Sequence, residues 1–351
     1  MKVLFLTRRF YPDIGGVEKH VLEIGKRLVR SGHNIVVVTQ SQGKEKELEG
    51  IRIVRITEVP NNTSEKTHIW KWLFTNRNLI EEADIVHAHD VYFWYFPFRF
   101  LYPFKKSFIT FHGYESYPIK KKAIVVRKLS EYLANGNIIV GDFIKKWYGT
   151  NPNYVTYGGV EISNLPARLA SKRAGKAGIK YQISNKIKSE SAVFIGRLDE
   201  QTGILDYAEA IKLIKKKISQ FEFAIIGDGK YKNRLKEFKV MGFDKNAEKY
   251  FKKYNFAFVS RYLSILEAMA NRRLVFAHYD NPVKEDYLKR SPFAEFIIIE
   301  NSAEKIAEKV NYYFNHQKEA SLLINKAYEW VKNESWTKVV KSYTELWGFI
   351  K

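Results

Sequence analysis

The chain has 351 residues, with 59 Lys+Arg against 38 Asp+Glu, a formal net charge of +21. An apolar share of 45% excludes a disordered chain, and the absence of cysteine excludes disulfide scaffolds, thiol catalysis and Cys-ligated metal. No stretch reaches the roughly 20 uninterrupted apolar residues of a membrane-spanning helix, and the length favours two domains over one. The N-terminus places an apolar run before Arg8 and Arg9, the reverse of a signal peptide, so we expect a cytosolic chain. The positive excess points to a phosphate-bearing partner: nucleic acid, anionic lipid or a nucleotide. Lys-rich solvated helix faces are the plain alternative.

Lys2–Thr7 reads as a strand, followed by a loop containing Gly15 and Gly16. Val17, Val21, Ile24 and Leu28 recur at helical spacing over Val17–Arg30, and Gly32 supplies the stop. Asn34–Thr39 is a continuous apolar run, which suits a strand buried on both faces of a parallel sheet. Further strands are expected at Arg52–Arg55, Asp84–His87, Phe108–Phe111, Asn137–Gly141 and Tyr154–Tyr157. This alternation predicts a doubly wound α/β domain. Glu161–Glu190 is rich in Ala, Lys, Ser and Arg and marks the entry into a second domain. The alternation then restarts. Strands are expected at Ala192–Ile195, Phe221–Ile226, Phe256–Val259, Leu274–His278 and Phe296–Ile299. Helices are expected at Ile204–Lys216, Tyr231–Phe238, around Leu266–Ala270, at Ala303–Phe314 and at Trp336–Ile350. The reading is two Rossmann-like doubly wound domains facing across a cleft.

Ligands of open α/β sheets sit beyond the carboxyl ends of the strands, so the residues just after each strand are the candidates. Gly15-Gly16 stands before a helix, where backbone N–H groups are free to meet an anion; a turn needing positive φ is the plain alternative. His87 and His89 follow one strand, and His112 follows another in the string ITFHGYE. Strand-end histidines suit hydrogen bonding or proton transfer, while His87 also fits a buried core position. We expect His87 and His89 to face opposite sides of their strand, which argues against a metal pair. In the second half Gly196 and Arg197 open the string GRLDEQTG, where Arg197 suits a phosphate. Asp228 in GDG reads as turn chemistry. Ser260 and Ser264 are expected to cap the helix that carries Glu267, and Glu267 can accept hydrogen bonds from ribose hydroxyls.

The set Gly15-Gly16, TFHG around His112, GRLDEQTG, IIGDG and ILEAMA, in that order along the whole chain, resembles the family-4 glycosyltransferases of the GT-B fold. The resemblance implies a nucleotide-sugar donor held mainly by the second domain, retaining transfer of a hexosyl-type sugar, and no required metal or other cofactor. It implies domains at 1–160 and 161–335, with the helix 336–351 crossing back to complete the first. Carried over, Arg197 binds the donor diphosphate and Glu267 the ribose. Gly16 lets the first loop meet the donor phosphate, and His112 sits near the reacting sugar. Tyr262, Ser264, Gly15 and Gly196 fall in the same donor set. Two positions depart from the family pattern. The first Glu of its E-x7-E motif falls on Val259, and the Lys that accompanies its Arg falls on Thr202. The loop before the ILEAMA helix is also short, so Ser260 or Arg261 fills that space, and Arg261 is the candidate replacement cation. These departures keep a donor-binding but inactive relative in view.

Val91–Lys106 reads VYFWYFPFRFLYPFKK, with nine aromatic residues. Aromatic and basic side chains together favour a membrane–water interface, and Lys120–Lys122 adds a second basic cluster. Trp94, Arg99, Lys105 and Lys106, with His89, form the expected acceptor or membrane side. The acceptor is then a glycan or a lipid-linked molecule, and the chain sits on the cytoplasmic face of an anionic membrane. An internal aromatic core under a loop is the alternative. Nucleic acid is the weaker partner, since no nucleic-acid motif is present.

Overall fold

The apolar runs form two sheets, each in its own unit. The structure, a computed structural model, describes residues 1–13, 15–59, 64–161 and 190–348. Most of the segment read as the entry to the second domain, 162–189, lies outside the described residues.

The first unit comprises Met1–Gly158 and Trp336–Lys351. Its strands are β1 (Lys2–Thr7), β2 (Asn34–Thr39), β3 (Glu47–Leu48), β4 (Ile51–Arg55), β5 (Ile85–His89), β6 (Lys106–Phe111), β7 (Asn137–Val140) and β8 (Tyr154–Thr156). Their spatial order is β3-β4-β2-β1-β5-β6-β7-β8. All pairs are parallel except the β3–β4 hairpin. Helices cover parallel sheets on both faces, which is why Val3–Leu6 and Ile35–Val38 are buried without alternation. The winding reverses at β1, which pairs with β2 on one side and β5 on the other. That reversal opens the crevice in which such sheets hold ligands.

The second unit, Gly159–Ser335, repeats the plan with six parallel strands. They are β9 (Ser191–Ile195), β10 (Glu222–Ile226), β11 (Lys239–Val240), β12 (Phe256–Phe258), β13 (Leu274–His278) and β14 (Ile298–Glu300), in the order β11-β10-β9-β12-β13-β14. Here the reversal is at β9. The helices Ile204–Lys217 and Ala303–Asn315 lie against one another over a core that includes Tyr207, Ile211, Phe223, Phe258 and Ile306.

Three expectations change. The string Tyr231–Phe238 forms only a short 3-10 turn, Lys232–Leu235, in which Leu235 alone is buried. Tyr231 and Phe238, at its two ends, pack against the core from outside that turn. Phe296 closes a turn, its N–H on Phe293 O at 3.0 Å, and the last strand starts later, at Ile298. The final helix stops at Leu346, because Gly348 takes a left-handed φ of 79° and returns its N–H to Glu345 O at 2.9 Å.

That helix, Trp336–Leu346, packs on the helix Gly16–Arg30 and on β8. Trp336, Val339, Tyr343 and Trp347 form its buried face, at the three- and four-residue spacing of one helix side. Trp336→Ala is expected to destabilise the first unit by about 3–5 kcal/mol in chemical denaturation. Thr337→Ala, on the exposed side of the same turn, should change it by less than about 0.5 kcal/mol.

Candidate functional site

In the first unit, the loop after β1 is held by its neighbours. Phe10 N–H donates to Ser41 Oγ at 2.8 Å, and Ser41 Oγ donates to Asp13 Oδ2 at 2.6 Å. Arg55 Nη1, from the end of β4, donates to Tyr11 O at 3.0 Å and Ser41 O at 2.7 Å. Gly15 is extended, with φ −173°, and a Cβ on Gly16 would meet nothing within 4 Å. Neither glycine is left-handed, so the turn itself does not require them. What glycine provides at Gly16 is bare backbone at the first residue of a 15-residue helix.

The carboxyl ends of β5 and β6 carry a histidine cluster. His20 joins it from the helix Gly16–Arg30, and Trp336 and Tyr343 close it from the last helix, with Trp347 just beyond that helix's end. Trp347 Nε1–H donates to His87 Nδ1 at 3.0 Å. Burial pushes His87 down to about 3, so the ring is neutral and its remaining proton sits on Nε2. His87 Nε2–H therefore donates to Thr110 Oγ1 at 2.8 Å. Thr110 in turn donates to Tyr343 OH at 2.7 Å, and Tyr343 donates to His20 Nε2 at 3.0 Å. Burial also pushes His20 down to about 3, which keeps it neutral and able to accept. Each group in this chain has one role, assigned by its neighbour.

His89 and His112 form the second layer. Their rings are hydrogen-bonded, Nδ1 to Nε2, at 2.9 Å. Burial first, and the neighbouring histidines second, hold both well below the usual histidine range. His112 is half-buried, and its Nδ1 has no hydrogen-bond partner among the described residues. Its backbone N–H donates to Asp90 Oδ1 at 2.9 Å. Beyond it, buried Arg127 donates to Gly113 O and to Glu115 Oε1, the latter at 2.9 Å, and stacks 3.9 Å over Tyr148. The loop that presents His112 is thereby fixed from both sides. The rings of His87 and His89 are 5.1 Å apart, not on opposite faces as expected, because residues two apart on a strand share a face. No group of three or more His, Asp or Glu among the described residues is arranged to hold a metal.

In the second unit, the loops after β9 and β10 are in backbone contact. A Cβ on Gly227 would lie 1.9 Å from Gly196 O, and one on Gly229 would lie 2.7 Å from Leu198 O. Leu198 N–H donates to Asp228 O at 2.9 Å, and only glycine permits so close an approach. The Asp228 carboxylate takes the Gly229 N–H at 2.8 Å and pairs with Lys232, which is turn chemistry. Arg197 is exposed, with Nε 3.2 Å from Asp199 Oδ2 and Nη2 donating to Gln201 Oε1 at 3.2 Å. Thr202 is buried beneath it and donates to Arg197 O and Asp199 O, both at 2.8 Å. The turn presenting Arg197 is thus tied from below by the residue that stands where the family pattern has Lys. Val259 is fully buried, so no carboxylate occupies the other departing position.

Arg261 precedes the helix Tyr262–Ala270, which carries half-buried Glu267. Its Nη1 is buried with no hydrogen-bond partner among the described residues. Beside it, Lys284 is almost completely buried, and its ammonium donates to Ser260 O. The expected caps are absent: Ser260 Oγ instead bonds Tyr207 OH at 2.6 Å and accepts from His278 N–H at 3.0 Å, and Ser264 lies inside the helix. Tyr287 OH takes the Tyr262 N–H at 2.8 Å in their place.

Several expected site residues prove to be internal. Tyr262 is buried, stacked 3.8 Å from Tyr287, and its hydroxyl donates to Tyr287 O at 2.5 Å, so ring and hydroxyl are both committed within the fold. Trp94 is fully buried, as are Tyr92, Tyr95 and Phe98, and it cannot meet a membrane. His89 is buried beneath His112 and does not face an acceptor. Arg99 donates to Pro103 O at 2.6 Å, and Lys105 donates to Ala83 O at 2.6 Å; both fasten their loop. Lys106 is exposed. Sequence reasoning missed His20, Arg127 and Lys284. His20 had a signal, standing four residues before Ile24 on the apolar stripe of its helix. So had Lys284, aligned with Tyr287 and Leu288 on the buried face of the helix Pro282–Lys289.

Residues 14–163 match the family model described as Glycosyltransferase Family 4, and residues 189–316 match that described as Glycosyl transferases group 1. Among curated proteins, the chain is 28% identical over 97 residues to the Phosphatidylinositol N-acetylglucosaminyltransferase GPI3 subunit of Saccharomyces cerevisiae. It is 30% identical over 88 residues to a human (Homo sapiens) component of the same transferase, a match that covers 23% of this chain and 18% of that protein. The yeast match covers 25% of this chain and 21% of that protein, so the similarity spans about a fifth of each relative's length. The fold is similar to a glycosyltransferase from Rickettsia africae ESF-5, at 19% identity with a TM-score of 0.69 over 98% of both chains. It is also similar to Anabaena HepE, solved in complex with UDP and glucose, at 16% identity with a TM-score of 0.73 over 100% of both chains.

The buried histidines make stability pH-dependent. His20 and His87 take protons near 6.5 when unfolded but only near 3 when folded, so protons favour the unfolded chain between those values. Stability is expected to be full above about pH 6.5 and to fall progressively as the pH drops toward 3. Urea midpoints measured across this range check it, and a flat profile would contradict the neutral buried rings.

Proposed function

Because the chain belongs to the family-4-like GT-B glycosyltransferases, we propose that it transfers a sugar from a nucleoside-diphosphate donor to a glycan or lipid-linked acceptor, with retention of anomeric configuration. The observation that carries the reading is the cationic group beyond the second sheet. Arg197 and Arg261 come from the loops after β9 and β12 and Lys284 from the helix after β13, and the charges of both arginines act on Lys284. Arg261 and Lys284 have no carboxylate partner among the described residues. Such a group suits a diphosphate, whose oxygens take several charge-assisted hydrogen bonds at once. Arg197 and Arg261 then bind the phosphates, Glu267 the ribose hydroxyls, and the Gly196 backbone approaches the donor.

In the reaction, the bond between the anomeric carbon and the phosphate oxygen breaks. A bond to the acceptor hydroxyl forms on the same face, and the hydroxyl proton passes to the departing phosphate oxygen. His112, neutral at pH 7 and held by His89 and Asp90, hydrogen-bonds the reacting sugar. The residues in these roles require no metal.

A surface of the first unit favours a lipid-linked acceptor. Phe104 is 98% exposed and Phe100 72%, beside Leu101 and Lys106. The neighbouring helix Lys121–Leu133 exposes Lys121, Lys122, Val125, Lys128, Leu129 and Tyr132 on one side. Exposed aromatic and aliphatic groups rimmed by lysine suit the interface of an anionic membrane, here its cytoplasmic face. The proposed contact is peripheral; no helix among the described residues is long and apolar enough to cross a membrane.

A thermal-shift screen against nucleoside diphosphates and their sugar conjugates tests the donor reading. One nucleotide should raise Tm by mass action, and Arg197→Ala should weaken it about 10- to 100-fold. No shift with any nucleotide would reject the reading. In flotation, the protein should rise with anionic vesicles at low salt, and Phe100→Ser with Phe104→Ser should release it. Equal flotation of the double variant would remove this surface from the membrane contact.

A further inference from the structure

Lys284 breaks two local rules. It is 2% exposed, although lysine is almost never fully buried unless paired. It also occupies the first turn of the helix Pro282–Lys289, after the cap Asn281, where the positive end of the helix dipole opposes a cation. Its ammonium has three donors, and among the described residues its one acceptor is Ser260 O. No carboxylate there lies within 4 Å of it. A buried amino group with so few partners is costly in the empty protein.

Arg261 shares the defect, with Nη1 buried and unpartnered among the described residues. Both heads lie over the ring of Tyr287, Lys284 Nζ at 4.4 Å and Arg261 Cζ at 5.5 Å from its centre. Tyr287 is itself fixed, stacked on Tyr262 and bonded to it at both its hydroxyl and its carbonyl. A rigid platform therefore holds two under-satisfied cations side by side. Thr202, where the family pattern has its phosphate Lys, is uncharged and tied into the turn below Arg197.

We propose that Lys284 is the second diphosphate cation of the donor site, supplied from the helix after β13 in place of the one absent at Thr202, and that it binds the donor's phosphate oxygens together with Arg197 and Arg261. This rests on the donor reading above. The groups around the ammonium set its protonation. Burial lowers it first, and the charges of Arg261 and Arg197 lower it further; Asp280 and Asp199 oppose them. An arriving diphosphate acts in the opposite direction and favours the charged ammonium.

Wild type and Lys284→Met, which keeps the side-chain length and removes the charge, are titrated calorimetrically with UDP, GDP, ADP, CDP and dTDP. The titrations are run at about pH 8, where the nucleotide phosphates are already fully ionised. Wild type should bind one nucleotide. Lys284→Met should bind it about 10- to 100-fold more weakly. The empty variant should melt at or above the wild-type Tm, since a buried amino group with a single hydrogen-bond acceptor is gone. Equal affinity of a folded Lys284→Met, or of a folded Lys284→Gln where Met does not fold, overturns the inference and leaves the donor reading intact. Failure of wild type to bind any of the five overturns the donor reading, and this inference with it.

Discussion

The hydroxyl of Tyr343 is the point on which the first unit turns. It lies in the interior, where a hydroxyl without partners is costly, and it has two: it accepts from Thr110 and donates to His20. Only one orientation satisfies every member of the chain from Trp347 to His20. That orientation requires both histidines to be neutral, and burial keeps them so. The last helix therefore does more than cover an apolar face. It fixes the tautomers of the groups beneath the strand ends, and those groups form the floor on which His89 and His112 stand.

The second unit uses the opposite arrangement. Its strand-end loops are closely tied through Gly227, Gly229, Thr202 and the Tyr262–Tyr287 stack. Yet the cations they carry are left short of partners among the described residues. A satisfied polar network holds a side chain in one place. An unsatisfied one in a rigid frame holds a place for something else. In both units these departures from ordinary packing fall at strand ends.

The strands were legible because parallel strands covered on both faces are unbroken apolar runs, as in β1, β2 and β13. What the runs could not convey is depth along a segment. Val91–Lys106 looked like one aromatic–basic surface, but its short turns bury Tyr92, Trp94, Tyr95 and Phe98 and expose Phe100 and Phe104. The strings GRLDEQTG and IIGDG located strand-end loops correctly, since glycine at a close approach leaves a sequence trace. His112 was legible because it directly follows the apolar run that ends at Phe111. His20 and Lys284 left only the trace of a polar residue on a buried helix face, since their hydrogen-bond partners Tyr343 and Ser260 lie 323 and 24 positions away. Tyr262 was misjudged because its stacking partner, Tyr287, lies 25 residues further on.

The bond between His87 and Trp347 spans 260 positions. The whole of the second unit is threaded between the body of the first and the helix that completes it. A ribosome delivers the chain from one end, at about 5–20 residues per second. The second unit consequently emerges in full while the first still lacks its closing helix, with the His87 and His20 rings open to water on that side. The order of assembly is written into the connectivity: the unit that begins the chain is the last to be finished.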